Sequence, residues 1–359
     1  MFPDLEYIRW IEGRPPRATH DLGSSDLDPW VDDGGPATAA DLPPPETDRS
    51  LSAMVADRYD VPEDHVLPTA GATHANVLAA VAALDGAEAD ADRVLVEKPG
   101  YEPLRATPRL FGATVDRFLR PPEDDAVLDP DRVEGALTDE TALVTVTNRH
   151  NPSGRLTDRD TLAAAAERTA EADVPLLVDE VYGPFGADDG TGPFGGVTAA
   201  GLDGVVVSGS LTKFHGCGPM GVGWLIGDPA FLEHARKAAR HLPALSEPSR
   251  RLGRRVLAAP GSVEPRAREQ LRTNHDLLAE FAAERADLSG TVHEGSTYAF
   301  LAHDEVDGDV VAEAAWADDV LVVPGRFFED EASFRVSVSG AAEDVRAALS
   351  ALGAVLDGV

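Results

Sequence analysis

Lysine is nearly missing from this chain: Lys98, Lys213 and Lys237 are the three present, against 28 arginines. Cysteine is reduced to Cys217, which excludes an internal disulfide framework and fits a reducing compartment. No apolar stretch approaches the roughly 18 residues of a membrane helix. The opening MFPDLEYIRWIEGR has no basic end followed by an apolar block, so no secretory leader is expected and the expected location is cytoplasmic. Basic residues are also few, 31 against 63 acidic for a net charge of −32, and the acid is spread along the chain. Without a basic stripe to neutralise phosphates, nucleic acid and anionic membranes are excluded as partners. Such a surface repels itself at low salt and stays soluble at high salt, so a halophilic source is expected, although GC-rich codon usage gives the same arginine bias. No spacing of metal ligands, no internal repeat and no helix-turn-helix segment ahead of the core stands out.

What is present is globular. The 359 residues, 43% hydrophobic and 26% charged, suffice for one large or two moderate domains. After an irregular opening rich in proline and aspartate, about residues 13–48, apolar runs alternate with amphipathic stretches. RVLVE (93–97), ATVDRF (113–118), ALVTVT (142–147), PLLVDE (175–180), GVVVSG (204–209) and VGWLIG (222–227) read as buried strands. ANVLAAVAALDG, DRDTLAAAAERTAEA and DPAFLEHARKAARHL read as helices between them. The pattern predicts an α/β fold, a mainly parallel sheet covered on both faces. From about residue 241 the texture changes to long helices, around 246–258 and 262–287, followed by STYAFLAH, VLVVPG, SFRVSVSG and a helix from 341. This predicts a smaller α+β domain, 1–44 plus 246–359, beside a large domain over 45–245.

Ligands of such sheets sit beyond the carboxyl ends of the strands, so the loops there are where chemistry is sought. In TAGATHANVL (69–78) the N–H groups of Ala72 and Thr73 would open a helix and form an anion site, with the Thr73 hydroxyl as a further donor; plain helix capping is the commoner role of such a motif. In EKPGYEPL (97–104) a Pro-Gly turn would present Tyr101 as a flat ring, or simply as a packing residue. In TNRHNPSG (147–154) the Asn151 amide precedes a proline and is free to face a ligand, or to sit in a surface turn. His150 reads as a supporting group. PLLVDEVYGPF (175–185) ends a buried strand on Asp179, Glu180 and Tyr182; an acid there needs a partner, and an arginine ion pair is one candidate. VSGSLTKFHGCGPMGVGW (207–224) sets Lys213 three residues after Ser210, beside glycines that allow close backbone approach. A lysine partly buried in a loop is expected to have a depressed pKa, which suits imine formation; an exposed loop lysine is the alternative.

In order along the chain these motifs are Gly-Ala-Thr, Pro-x-Tyr, Asn-Pro-Ser-Gly, Asp-Glu-x-Tyr, Ser-x-x-Lys and a late arginine, Arg335 in SFRVSV. The ordered set resembles the class I/II aminotransferases, fold-type-I enzymes that use pyridoxal 5′-phosphate, from HDLGSSDL to SFRVSVSG. The resemblance implies a seven-stranded large domain and a homodimer with sites near the subunit interface. It implies that Lys213 forms the imine with the cofactor and later moves a proton, and that Asp179 pairs with the pyridine nitrogen. Asn151 and Tyr182 would bind the ring oxygen, Tyr101 would stack, and Ala72, Thr73 and Ser210 would hold the phosphate. Arg335 would bind the substrate carboxylate, with Gly23 closing over it. The family's phosphate-binding arginine, eight residues after the lysine, is Gly221 here, and Arg149 or His215 are the candidates to replace it. The family's tyrosine-bearing segment ahead of the Gly-Ala-Thr loop is not evident.

The function so implied is transfer of an amino group from an amino acid to a 2-oxo acid. Decarboxylation or elimination on the same cofactor is an alternative, and a degenerate, non-catalytic family member with weakened cofactor binding is another.

Overall fold

The computed structural model of the chain describes residues 2–30, 36–88, 90–186 and 192–359, so residues 31–35 of the irregular opening lie outside the described residues. Its centre is a seven-stranded sheet in the spatial order Val66–Thr69, Gly223–Ile226, Val205–Ser210, Leu176–Asp179, Thr141–Thr147, Arg93–Lys98 and Thr114–Leu119. Gly223–Ile226 runs antiparallel to both neighbours, and the other strand pairs are parallel.

Alternation along each strand explains why both faces are covered. Val144 and Val146, Leu176 and Val178, Val205 and Val207 point to one core. Leu143, Leu177, Val206 and Val94 point to the other. The second core is closed by the alanine-rich helix Ala72–Gly86 and by Pro229–His241, whose Ala75, Leu78, Ala79 and Leu232 are buried. The first is closed by Leu51–Tyr59, Arg159–Ala170 and Glu247–Ala258, through residues such as Val55, Leu162 and Val256. Burying a Val or Leu side chain contributes about 1.5–3 kcal/mol, so continuous apolar runs suit a sheet of this kind.

The six expected strands are present to within a residue or two. Val66–Thr69 was not among them, because Pro68 lacks the N–H of a ladder residue and marks the run as something other than a central strand. It is an edge strand, where that loss is tolerated.

A second, antiparallel sheet runs Val323–Pro324, Ser333–Ser337, Tyr298–His303, Leu288–Ser289. Helices Gly308–Ala317 and Ala342–Leu356 cover it, with Leu301, Val311, Phe334 and Leu352 in its core. The opening of the chain joins this part: His20–Asp21 pairs in parallel with Val320–Leu321. From there residues 22–30 run back towards the large sheet.

Candidate active site

Strand register brings the first site residues together. Thr147 lies opposite Asp179, and Asp179 opposite Ser208, at the carboxyl ends of three adjacent parallel strands. Above them is a cavity of about 310 Å³ lined by Ala72, Thr73, Tyr101, Asn151, Asp179, Tyr182, Ser210, Lys213 and Arg335, which gathers nine of the ten residues to which the resemblance gives a cofactor or substrate role. The tenth, Gly23, is not on the wall but reaches the site through its carbonyl, which accepts a 3.2 Å hydrogen bond from Arg335 Nη2.

Helix Ala72–Gly86 opens onto the cavity. Its N-cap is Gly71, at φ 85, a left-handed conformation that glycine adopts without strain, and no side chain caps the first turn. The helix-capping role considered for this motif is therefore not what the loop does. The first-turn N–H groups, beside the exposed Thr73 hydroxyl, are left facing an anion-sized space at the positive end of the helix dipole.

Asp179 is buried at 4% exposure. Its partners are not an arginine: Asn76 Nδ2 donates to Oδ2 at 2.7 Å and the Val181 N–H to Oδ1 at 3.0 Å. Burial pushes its carboxyl above the usual range, opposed by those two hydrogen bonds and by the Lys213 charge. Across the cavity, Arg335 is 2% exposed. Nη1 donates to Asn151 Oδ1 at 2.8 Å and Nη2 to the Tyr7 hydroxyl at 3.1 Å. The Asn151 N–H donates to Thr147 Oγ1 at 2.9 Å, which ties the Asn-Pro turn to the strand before it. His150 supports the same turn, with Nε2 3.0 Å from the Pro99 carbonyl and Nδ1 2.7 Å from Ser153 Oγ. The Tyr182 hydroxyl shares a 2.6 Å hydrogen bond with Ser25 Oγ, and the Tyr101 ring stands edge-on to Tyr7 at 6.1 Å.

Two expectations are corrected. Lys213 was expected to have a depressed pKa; burial is the largest single influence and pulls it down, but the Asp26 carboxylate, ion-paired with Nζ, together with the Tyr182 and Tyr101 phenols outweighs it and holds the amine well above its ordinary range. Neither Arg149 nor His215 takes the place of the missing phosphate cation. Arg149 is buried and donates to the carbonyls of Gly154, at 2.9 Å, and Phe185. His215 is wedged edge-on between Phe194 and Phe214 at 5.0 and 5.1 Å, and burial pushes it down to about 3. Gly221 itself lies on the cavity wall at φ 56, with nothing within 4 Å of where a Cβ would stand.

Asn76, Ser25, Asp26, Tyr7, Thr147 and Thr212 belong to the site or its border and were not singled out in the sequence. Asn76 alone carries a local signal, an amide within the apolar run ANVLAAV. Among the described residues no group of three or more His, Cys, Asp or Glu is placed to hold a metal ion, and no helix is long and apolar enough to cross a membrane.

A buried acid, an amine and a buried arginine around one cavity at the carboxyl ends of a mainly parallel sheet define the fold-type-I class of pyridoxal-phosphate enzymes. The family model of the class I and II aminotransferases matches residues 36–352, and the chain belongs to that family. It is a pyridoxal-phosphate-dependent aminotransferase. Capreomycidine synthase of Streptomyces vinaceus is 27% identical over 92% of this chain and 82% of its own length. Histidinol-phosphate aminotransferase of Halorubrum lacusprofundi is 26% identical over 87% of this chain and 80% of its own. Among solved structures, the PLP-dependent cyclase OrfR superposes with a TM-score of 0.79 at 25% identity, over 100% of this chain and 98% of that one.

Proposed function

We propose that this cavity carries out transamination between an amino acid and a 2-oxo acid, with Lys213 as the residue that holds the cofactor covalently. The observation that carries the reading is the buried Asp179, fixed by Asn76 and facing the same space as Lys213 and Arg335. The uncapped helix start at Gly71 supports a phosphate at Ala72, Thr73 and Ser210. When bound, pyridoxal phosphate supplies an electron sink for the charge that develops at the substrate α-carbon. Asp179, its carboxylate oriented by Asn76 and Val181, would pair with the ring nitrogen and favour its protonated form. Asn151 and Tyr182 would hold the ring oxygen, and Tyr101 would stack on the ring. Arg335 takes the substrate carboxylate with its planar fork, steadied by Asn151, Tyr7 and the Gly23 carbonyl. The Lys213 amine would be the group placed to move the substrate α-proton.

The same reading includes a cytoplasmic, halophilic homodimer. It also includes a division near residue 245 between a large unit on the seven-stranded sheet and a small one, 1–44 plus 246–359. Val256, Leu257 and Val263 pack across that division into the large core.

A second reading keeps family and cofactor and ends in ring closure within one substrate; the likeness to the PLP-dependent cyclase OrfR favours it. An absorption experiment tests both. In high salt with added pyridoxal phosphate, transamination converts the visible band of the lysine-linked cofactor to that of pyridoxamine phosphate on adding amino acids, and 2-oxo acids restore it. A lysine-linked band that returns without pyridoxamine phosphate, together with a cyclised product, selects the second reading. No band at any cofactor concentration rejects both and leaves a non-catalytic family member.

A further inference from the structure

The segment from Leu22 to Trp30 is pinned along its length. The Leu22 N–H donates to the Leu321 carbonyl at 2.9 Å and the Leu27 N–H to the Lys213 carbonyl at 2.8 Å. The Trp30 indole N–H donates to the His215 carbonyl at 2.8 Å, and Ser25 Oγ is bonded to Tyr182. Leu27 is buried with Tyr182, Phe185 and Phe214. Asp26 thus stands between two fixed neighbours, and its carboxylate is aimed rather than free. Oδ1 is ion-paired with Lys213 Nζ, and a Cβ at Gly218 would come within 3.0 Å of Oδ2, so a glycine there leaves the carboxylate its room. The pair is mostly shielded, with side-chain exposures of 24% for Lys213 and 39% for Asp26.

We propose that Asp26 is a positioning residue for Lys213: through the ion pair it holds the side-chain amine at the cavity and in its charged form, so that the pair must open before the amine acts as nucleophile or base. The inference rests on the reading of Lys213 given above.

The groups facing the Lys213 nitrogen come from three segments. Asp179 ends its strand and is committed to Asn76 and Val181. Tyr182 follows it, with its ring centroid 5.9 Å from Nζ. Tyr101, from the loop after Arg93–Lys98, is a phenol that burial holds neutral. Asp26, from the opening segment, is the carboxylate paired directly with the amine. Without it, burial acts on the amine with its main opponent removed and favours the neutral form.

The scarcity of lysine makes this measurable. In full-length protein freed of cofactor, trace acetylation with acetic anhydride across a pH series reports on Lys98, Lys213 and Lys237 as separate peptides. A counter-charge within ~4–6 Å moves a titration by about 1–3 pH units, so Asp26→Asn and Asp26→Ser are expected to label Lys213 at least about tenfold faster at pH ~8. Asp26→Glu is expected to keep it slow, and Lys98 and Lys237 serve as references. Only variants with native far-UV circular dichroism are scored, and two neutral substitutions guard against one failing to fold. Unchanged Lys213 labelling in the folded neutral variants overturns the proposal. Borohydride reduction of the cofactor-loaded wild type separates this from the underlying assignment: cofactor mass on a lysine other than Lys213 rejects that assignment, whatever Asp26 does.

Discussion

Gly221 stands where the resemblance implies the family's phosphate-binding arginine, and its geometry sets two effects against each other. An arginine there adds a charge-assisted contact to the cofactor phosphate, about 1.5–3 kcal/mol. It also forces a side chain onto a backbone at φ 56, at about 1–2 kcal/mol, although the space around it is open. The strain is present with and without cofactor and cancels in binding, whereas the contact does not. Gly221→Arg is therefore expected to lower the cofactor Kd by about 10–100-fold and to lower the stability of the cofactor-free protein by about 1–2 kcal/mol. Equilibrium dialysis and urea unfolding measure the two separately, and an unchanged Kd would mean that the phosphate site already has its cation. Legibility at this scale followed chemistry. Lys213, Asp179 and Arg335 could be read from the sequence because their proposed tasks demand an amine, an acid and a guanidinium. Asn76, Ser25 and Asp26 could not, since their partners lie 103, 157 and 187 positions away and leave no local pattern.

Among the elements, strand Leu176–Asp179 carries a second acid just beyond its end. Glu180 is buried, accepts from the Ala199 N–H at 2.6 Å and the Thr198 hydroxyl at 2.7 Å, and so ties the strand end to the 198–199 segment. Burial pushes its carboxyl up to about 8 from an ordinary 4.5. Between those values the folded chain keeps a proton that the unfolded chain has released, so Glu180 makes stability fall as pH rises through this window. The slope is at most about 1.4 kcal/mol per pH unit. Glu180→Gln is expected to remove that share of the slope, seen as a smaller loss of unfolding free energy between pH ~5.5 and ~7.5. Identical slopes in the two proteins would sink the argument. The strands themselves were readable because both faces of the sheet are buried, which leaves unbroken apolar runs. Val66–Thr69 was not, because four residues with a proline at an edge carry too little pattern.

For the whole molecule the governing number is a net charge of −32. Folding draws these charges together, and salt relieves the repulsion as the screening length falls from ~10 Å at 0.1 M to ~3 Å at 1 M. The thermal midpoint is expected to rise with potassium chloride over that range; a midpoint that falls or stays flat would count against a halophilic protein. Domain-scale architecture was visible in the change of texture near residue 241, but the path of the opening segment was not. His20–Asp21 pairs with Val320–Leu321, and Gly23, Ser25 and Asp26 follow directly from that pairing. During synthesis the first part of the site to leave the ribosome must therefore wait for nearly the last. The large sheet and the cavity floor can form early, but the wall that reaches Lys213 and Arg335 is complete only after Val320–Leu321 and Arg335 have been made.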